Sequence, residues 1–157
     1  MKYLISACLV GQPVRYDGQH CLQSKLKHLI ETKQAVSICP EVTGGLSTPR
    51  LAAEIIAGDG IDVLNAQAKV VTSAAEDVTQ AFINGAYLTL KLAQLHQVTH
   101  VILKANSPSC GSHLIFDGTF TGQKIQGLGV TAALLKQYGF VVMTEDEFLE
   151  QLDMDED

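Results

Sequence analysis

The chain has 157 residues, 46% of them hydrophobic and 18% charged, which is the usual size of one domain and enough apolar mass for a packed core. Its 11 Lys and Arg are scattered singly against 17 Asp and Glu, for a formal charge of -6, and this excludes the basic stripe that grips a nucleic-acid polymer. No apolar run approaches the roughly 20 residues of a membrane-spanning helix, and Met1-Lys2 leads into an apolar stretch too short for a signal-peptide core, so a cytoplasmic location away from membranes is expected. In that compartment thiols stay reduced, and the four cysteines read as ligands, nucleophiles or buried filler rather than disulfide partners.

In chain order, residues 3–7 form a first apolar strand. A short helical stretch is expected over 22–31, a second strand over 35–38, and another short helical stretch over 51–56. An extended piece follows at 68–72. From Val78 onward, Phe82, Gly85, Leu88, Leu92 and Leu95 fall at helical steps, with Asp77 and Gln80 as a capping start. A strand over 98–103 precedes residues 114–125, where Phe116-Asp117-Gly118-Thr119-Phe120 reads as a β-hairpin around Asp-Gly. A helix over 129–138 is stopped by Gly139, then comes a strand over 140–143, and Thr144 with Glu147 caps a last short helix. The acidic tail after about residue 152 is expected to fray. Strands alternating with helices imply right-handed crossovers and a mainly parallel sheet covered on both faces. The expected fold is α/β: a Rossmann-like three-layer sandwich of one domain, 1–157, with a small β-hairpin excursion.

Cys8, Cys39 and Cys110 each fall just past the carboxyl end of a predicted strand. In an open parallel sheet those ends form the ligand crevice, so the three can converge. Cys39 precedes Pro40-Glu41 and Gly44-Gly45, and Cys110 sits in Ser107-Pro108-Ser109-Cys110-Gly111-Ser112, loops suited to exposing a side chain. A lone cysteine is more often a small buried hydrophobe, but three at strand ends shift the balance. A closed zinc site normally shows ligands two to four residues apart; only Cys110 with His113 and the His20-Cys21 dipeptide come near that, so zinc is the weaker fit. Unpaired soft thiolates suit an iron-sulfur cluster gathered from three loops with one iron left without a cysteine. Cys21 is the natural candidate for a fourth ligand, and a spare thiol is the preferred reading.

Three functional readings stay open at this point: a cluster-dependent enzyme, a metal-free cysteine-nucleophile hydrolase or sulfur carrier centred on Cys110 with His113 as base and Asp117 as its orienter, and a non-catalytic iron-sulfur or metal-binding module. Ser6-Ala7-Cys8-Leu9-Val10-Gly11, Val14-Arg15-Tyr16-Asp17-Gly18, Cys39-Pro40-Glu41-Val42 with Gly44-Gly45-Leu46 and Thr48-Pro49-Arg50, and Ser107-Pro108-Ser109-Cys110-Gly111, in this order, resemble the thiouracil desulfurase family in its short single-domain form. Asp77-Val78-Thr79, the 116–120 hairpin and Gly129-Val130-Thr131-Ala132 extend the resemblance to about residue 142. It departs at Ala52, where the family pattern usually has a further proline.

The resemblance implies a 4Fe-4S cluster on Cys8, Cys39 and Cys110, an acid/base Glu41 and an assisting Ser107. It implies non-redox removal of sulfur from a small thiolated heterocycle. Arg15, Asp17 and Arg50 are candidates for orienting that heterocycle. Glu41 has a plainer reading as a charge at a helix start or a partner for Arg50, and Ser107 as a turn-forming serine. The physiological substrate and the oligomeric state are left open.

Overall fold

The computed structural model describes residues 2–12, 16 and 24–155, with side chains to residue 151. Of the residues singled out above, Val14, Arg15, Asp17, Gly18, His20 and Cys21 lie outside the described residues, as do positions 22 and 23 of the first expected helix. β1 (Tyr3–Ser6) runs into a 3-10 turn, Ala7–Val10, and α1 (Ser24–Glu31), β2 (Ala35–Ile38) and the one-turn helix α2 (Pro40–Thr43) come next. β3 (Ala53–Ile56), α3 (Gly60–Leu64) and β4 (Lys69–Thr72) precede the long α4 (Thr79–Leu95) and β5 (His100–Leu103). The remaining elements are β6 (Leu114–Phe116), β7 (Lys124–Gln126), α5 (Val130–Gln137), β8 (Val141–Thr144) and α6 (Glu145–Asp155).

β2, β1, β5 and β8 pair in that order as a parallel sheet, with Leu4 opposite Val36 on one side and Val101 on the other. Successive strand residues point to opposite faces, and the packing follows that alternation. Leu4, Val101 and Leu103 pack with Val63, Phe82, Leu90 and Leu134 from α3, α4 and α5. Ile5, Ile102 and Met143 face the other way, onto Leu26 of α1 and Phe148 of α6. Helices therefore cover both faces, as the alternation of elements predicts. Each fully buried Leu or Ile contributes about 1.5 to 3 kcal/mol relative to exposure. From β1 the chain goes to β2 on one side and later to β5 on the other, so the sheet has a topological switch point between β1 and β5, above whose carboxyl ends a crevice opens.

Three local expectations are corrected. Residues 51–56 do not form a helix: Ala53–Ile56 is a strand, antiparallel to β4 with Ile55 opposite Val70. The β-branched Ile55-Ile56 meets an equally branched Val70-Val71, and that cross-strand pairing outweighs a helix too short to sustain itself. α4 is real but rotated. Its buried face is Phe82, Gly85, Ala86, Thr89, Leu90 and Ala93, whereas Leu88 and Leu95 are 45% and 77% exposed. At its start Asp77 Oδ1 accepts the Thr79 N–H at 2.9 Å as expected, but Gln80 reaches forward to Asn84 at 2.8 Å rather than back. The hairpin exists as β6 and β7, joined by the loop 117–123 rather than by a tight Asp-Gly turn.

The reciprocal Thr144–Glu147 cap is present: Thr144 N–H donates to Glu147 Oε1 at 3.0 Å and Glu147 N–H to Thr144 Oγ1 at 3.1 Å. Helical backbone runs from there through Asp155. Among the described residues no helix is long and apolar enough to cross a membrane.

Candidate active site

Cys8 lies in the 3-10 turn after β1, Cys39 is the N-cap of α2 directly after β2, and Cys110 lies in the loop after β5. All three border one cavity of about 330 Å³ over the switch point, together with Glu41, Arg50 and Ser107. Cys8 and Cys110 are buried and Cys39 is half-buried; all three are free of disulfides. Strand direction alone brings thiols from positions 8, 39 and 110 to one place.

Cys39 and Glu41 are seated by a close crossing of α2 on α4. A Cβ on Gly85 would stand 2.0 Å from the Pro40 carbonyl oxygen, and one on Gly44 would stand 2.0 Å from that of Ala81. Glycine at both positions lets the two backbones touch, which fixes the height of α2 above the sheet. Burial raises the Cys39 thiol pKa, while hydrogen bonds from the backbone of Val42 and Glu41 oppose the shift and the Glu41 and Arg50 charges pull in opposite directions.

Cys110 sits in a loop held by its own neighbours. Ser107 Oγ accepts the Cys110 N–H at 2.7 Å, and Ser107 O accepts the Gly111 N–H at 2.9 Å. Ser109 Oγ lies 2.9 Å from Thr131 Oγ1, and the Val130 and Thr131 amides donate to Pro108 and Ser109 carbonyls at 2.8 and 2.9 Å, which docks the loop on the start of α5. Ser6 Oγ takes the Lys104 N–H at 3.0 Å and donates to Cys110 Sγ at 3.7 Å. Burial pushes the Cys110 thiol up to about 12; the Ser6 hydrogen bond works against it, and the nearby Cys39 and Glu41 charges reinforce it. The turn reading of Ser107 is thus realised in the geometry, and its hydroxyl hydrogen has no acceptor among the described residues.

Glu41 Oε1 accepts from Arg50 Nε at 3.1 Å, in a pair whose side chains are 17% and 8% exposed. Arg50 Nη1 also donates to Ser47 O at 3.0 Å and Thr48 Oγ1 at 3.2 Å, so Arg50 serves as the partner of Glu41 and a brace of its own loop. Burial raises the Glu41 carboxyl pKa and outweighs the charge and hydrogen bond of Arg50. The two residues also border a second cavity, which Ser47 and Glu76 line as well.

The alternative base for Cys110 is elsewhere. His113 is exposed, with Nε2 2.8 Å from Glu147 Oε1, and Asp117 takes the Thr119 N–H at 2.9 Å instead of orienting an imidazole. Sequence reasoning did not single out Ser6, Glu54 or Lys104. Lys104 directly follows β5, and its Nζ pairs with the buried Glu145 at 3.2 Å. For Ser6 and Lys104 the available signal was their position at strand ends; Glu54 was hidden by the helical reading of its segment.

Among the described residues no group of three His, Cys, Asp or Glu closes on a point as a single metal ion requires. Cys8, Cys39 and Cys110 would hold an iron-sulfur group, whose iron matches thiolate sulfur in softness. Binding would displace the thiol protons that burial favours on Cys39 and Cys110.

A family model described as 2-thiouracil desulfurase matches residues 3–147. The chain is 54% identical over 144 residues to the uncharacterized protein YbbK of Bacillus subtilis (strain 168), a match that covers 92% of this chain and 95% of that protein. Among solved structures, it is similar to a 4Fe-4S-dependent thiouracil desulfidase, TudS, at 41% identity and a TM-score of 0.84, over 98% of this chain and 97% of the other.

Proposed function

The chain belongs to the 2-thiouracil desulfurase family, and from that premise we propose that it is a single-domain desulfurase that removes sulfur from a small thiolated heterocycle by a cluster held on Cys8, Cys39 and Cys110. The reaction exchanges C=S for C=O: water supplies the oxygen, sulfur leaves as hydrogen sulfide, and no electrons change hands. When bound, a 4Fe-4S cluster with one iron free of cysteine supplies the soft Lewis acid that this exchange needs. The observation that carries the reading is the convergence of the three thiols on one cavity that also contains Glu41 and Ser107.

Glu41 moves both protons that the exchange requires, taking one from the incoming water and the second from the added hydroxyl as the carbonyl forms, and passing each to the leaving sulfur. Its place two residues beyond Cys39, on a helix seated by Gly85, keeps it beside the reacting atoms, and Arg50 fixes its rotamer. Ser107 holds the Cys110 loop with its oxygen and turns its hydrogen to the substrate's exocyclic atom. Arg15 and Asp17 remain candidates for the substrate's polar edge. Small thiolated heterocycles are the partners in this reading, with no nucleic-acid polymer and a cytoplasmic location. The test is anaerobic reconstitution with iron and sulfide followed by sulfide release from 2-thiouracil. Turnover that requires iron supports the reading, and turnover by iron-free protein contradicts it.

A further inference from the structure

Glu54, on β3, is only 8% exposed yet borders the cavity that holds the three thiols. Its Oε1 takes two main-chain donors from the hairpin loop, Gly118 N–H at 2.9 Å and Phe120 N–H at 3.2 Å. Both donors have left-handed backbone, φ +91° and +58°, so the loop curls its amides onto one oxygen. A Cβ at Gly118 would lie 2.6 Å from Ile55 O, so this approach needs glycine. The same contact seats the end of β6, where Phe116 forms part of the cavity wall. Glu54 Oε2 receives no hydrogen bond among the described residues. A buried acid with one oxygen held by the loop and the other accessible at the edge of a cavity has an acceptor available to a bound molecule.

We propose that Glu54 orients the substrate: Oε1 anchors the loop, and Oε2 accepts a ring N–H of the thiolated heterocycle. The inference rests on the desulfuration reading and narrows its substrate class to cyclic thioamides with an unsubstituted ring N–H. An N–H to carboxylate bond is directional, so it fixes which edge of a planar ring faces the thiols. Glu54 is then a selectivity residue that distinguishes a free N–H from a substituted nitrogen.

Glu54→Gln keeps a carbonyl oxygen for the two loop amides and turns an N–H₂ toward the cavity, where it opposes the ring N–H. With reconstituted protein, the substitution should raise KM for 2-thiouracil about tenfold or more, leave kcat within about threefold, and leave iron content and hydrogen-exchange protection of the Gly118 and Phe120 amides unchanged. Wild type should show a similar loss of kcat/KM for whichever of N1-methyl- and N3-methyl-2-thiouracil blocks the contact, and Glu54→Gln should be indifferent to that methyl. Wild-type comparison of the two methylated substrates does not depend on how any variant folds. Equal kcat/KM for both methylated substrates and the parent overturns the proposal, as does an unchanged KM in Glu54→Gln. Exposure of the loop amides without a change in KM reduces Glu54 to a loop anchor and overturns it too. Absence of turnover in iron-loaded wild type overturns the desulfuration reading itself, a result distinct from all of these.

Discussion

Replacing Glu41 by Gln removes a group that can exchange a proton and retains almost everything else it does. The amide oxygen can still accept from Arg50 Nε, now at 3.1 Å, and Arg50 keeps Ser47 O and Thr48 Oγ1. Deleting one member of a buried ion pair costs about 3 to 5 kcal/mol. The isosteric amide keeps the hydrogen bond and loses only its charge-assisted part, about 1 to 2 kcal/mol. For a chain of 157 residues this lowers Tm by about 2 to 8 °C. The kinetic effect is of another size: loss of a general acid/base slows the reaction about 10²- to 10⁴-fold, or about 3 to 5 kcal/mol in the barrier. Sulfide release from 2-thiouracil, measured on reconstituted protein alongside iron content and a melting curve, separates the two effects. The expected outcome is normal iron, a small Tm change and at least a hundredfold loss in kcat. Activity within a fewfold of wild type would leave Glu41 as the structural partner of Arg50 and move proton transfer to Ser107 or another group.

Other perturbations test how the site is built. Gly85→Ala places a Cβ 2.0 Å from Pro40 O; overpacking of about 1 to 3 kcal/mol outweighs the roughly 1 kcal/mol that alanine gains in a helix. It should release iron more readily, because α2 carries Cys39, and an iron chelation rate equal to wild type would refute the coupling. Partial burial raises the Glu147 carboxyl pKa, but hydrogen bonds from Thr144 and His113 outweigh it and hold the group below its ordinary value of 4.5. A depressed folded pKa stabilises the fold fully above the ordinary value, and that contribution fades as pH falls through the depressed one. The Tm gap between wild type and Glu147→Gln should therefore close on acidification below 4.5. A gap independent of pH in that range would exclude the ionised cap.

What the sequence discloses divides along physical lines. The strands of the parallel sheet are legible because their branched apolar residues end at turn formers, and strand ends in such a sheet share one side; that is why Cys8, Cys39 and Cys110 can be grouped before any coordinates exist. The Glu41–Arg50 pair is also within reach, being nine residues apart around a turn. Glu54 is not legible. Its role depends on β3 pairing with β4 and on a loop 64 residues away, and neither leaves a local signature. The face of α4 is misread for a related reason. Its large Leu88 and Leu95 point outward, while Gly85 and Ala86 lie on the buried face with Phe82 and Leu90, and at Gly85 the Pro40 backbone comes too close for any side chain. Ser6 and Lys104 acquire their roles only through partners 104 and 41 positions distant.

Whether three cysteines hold the catalytic group is decided by the iron content and visible spectrum of anaerobically reconstituted protein. The reconstituted protein should be brown with about four irons per chain, as a cubane cluster contains. Cys8→Ser, Cys39→Ser and Cys110→Ser should each lose most of that iron, and Cys21→Ser should keep it. Colourless, folded wild-type protein that still releases sulfide from 2-thiouracil would show that the thiols act without a cluster.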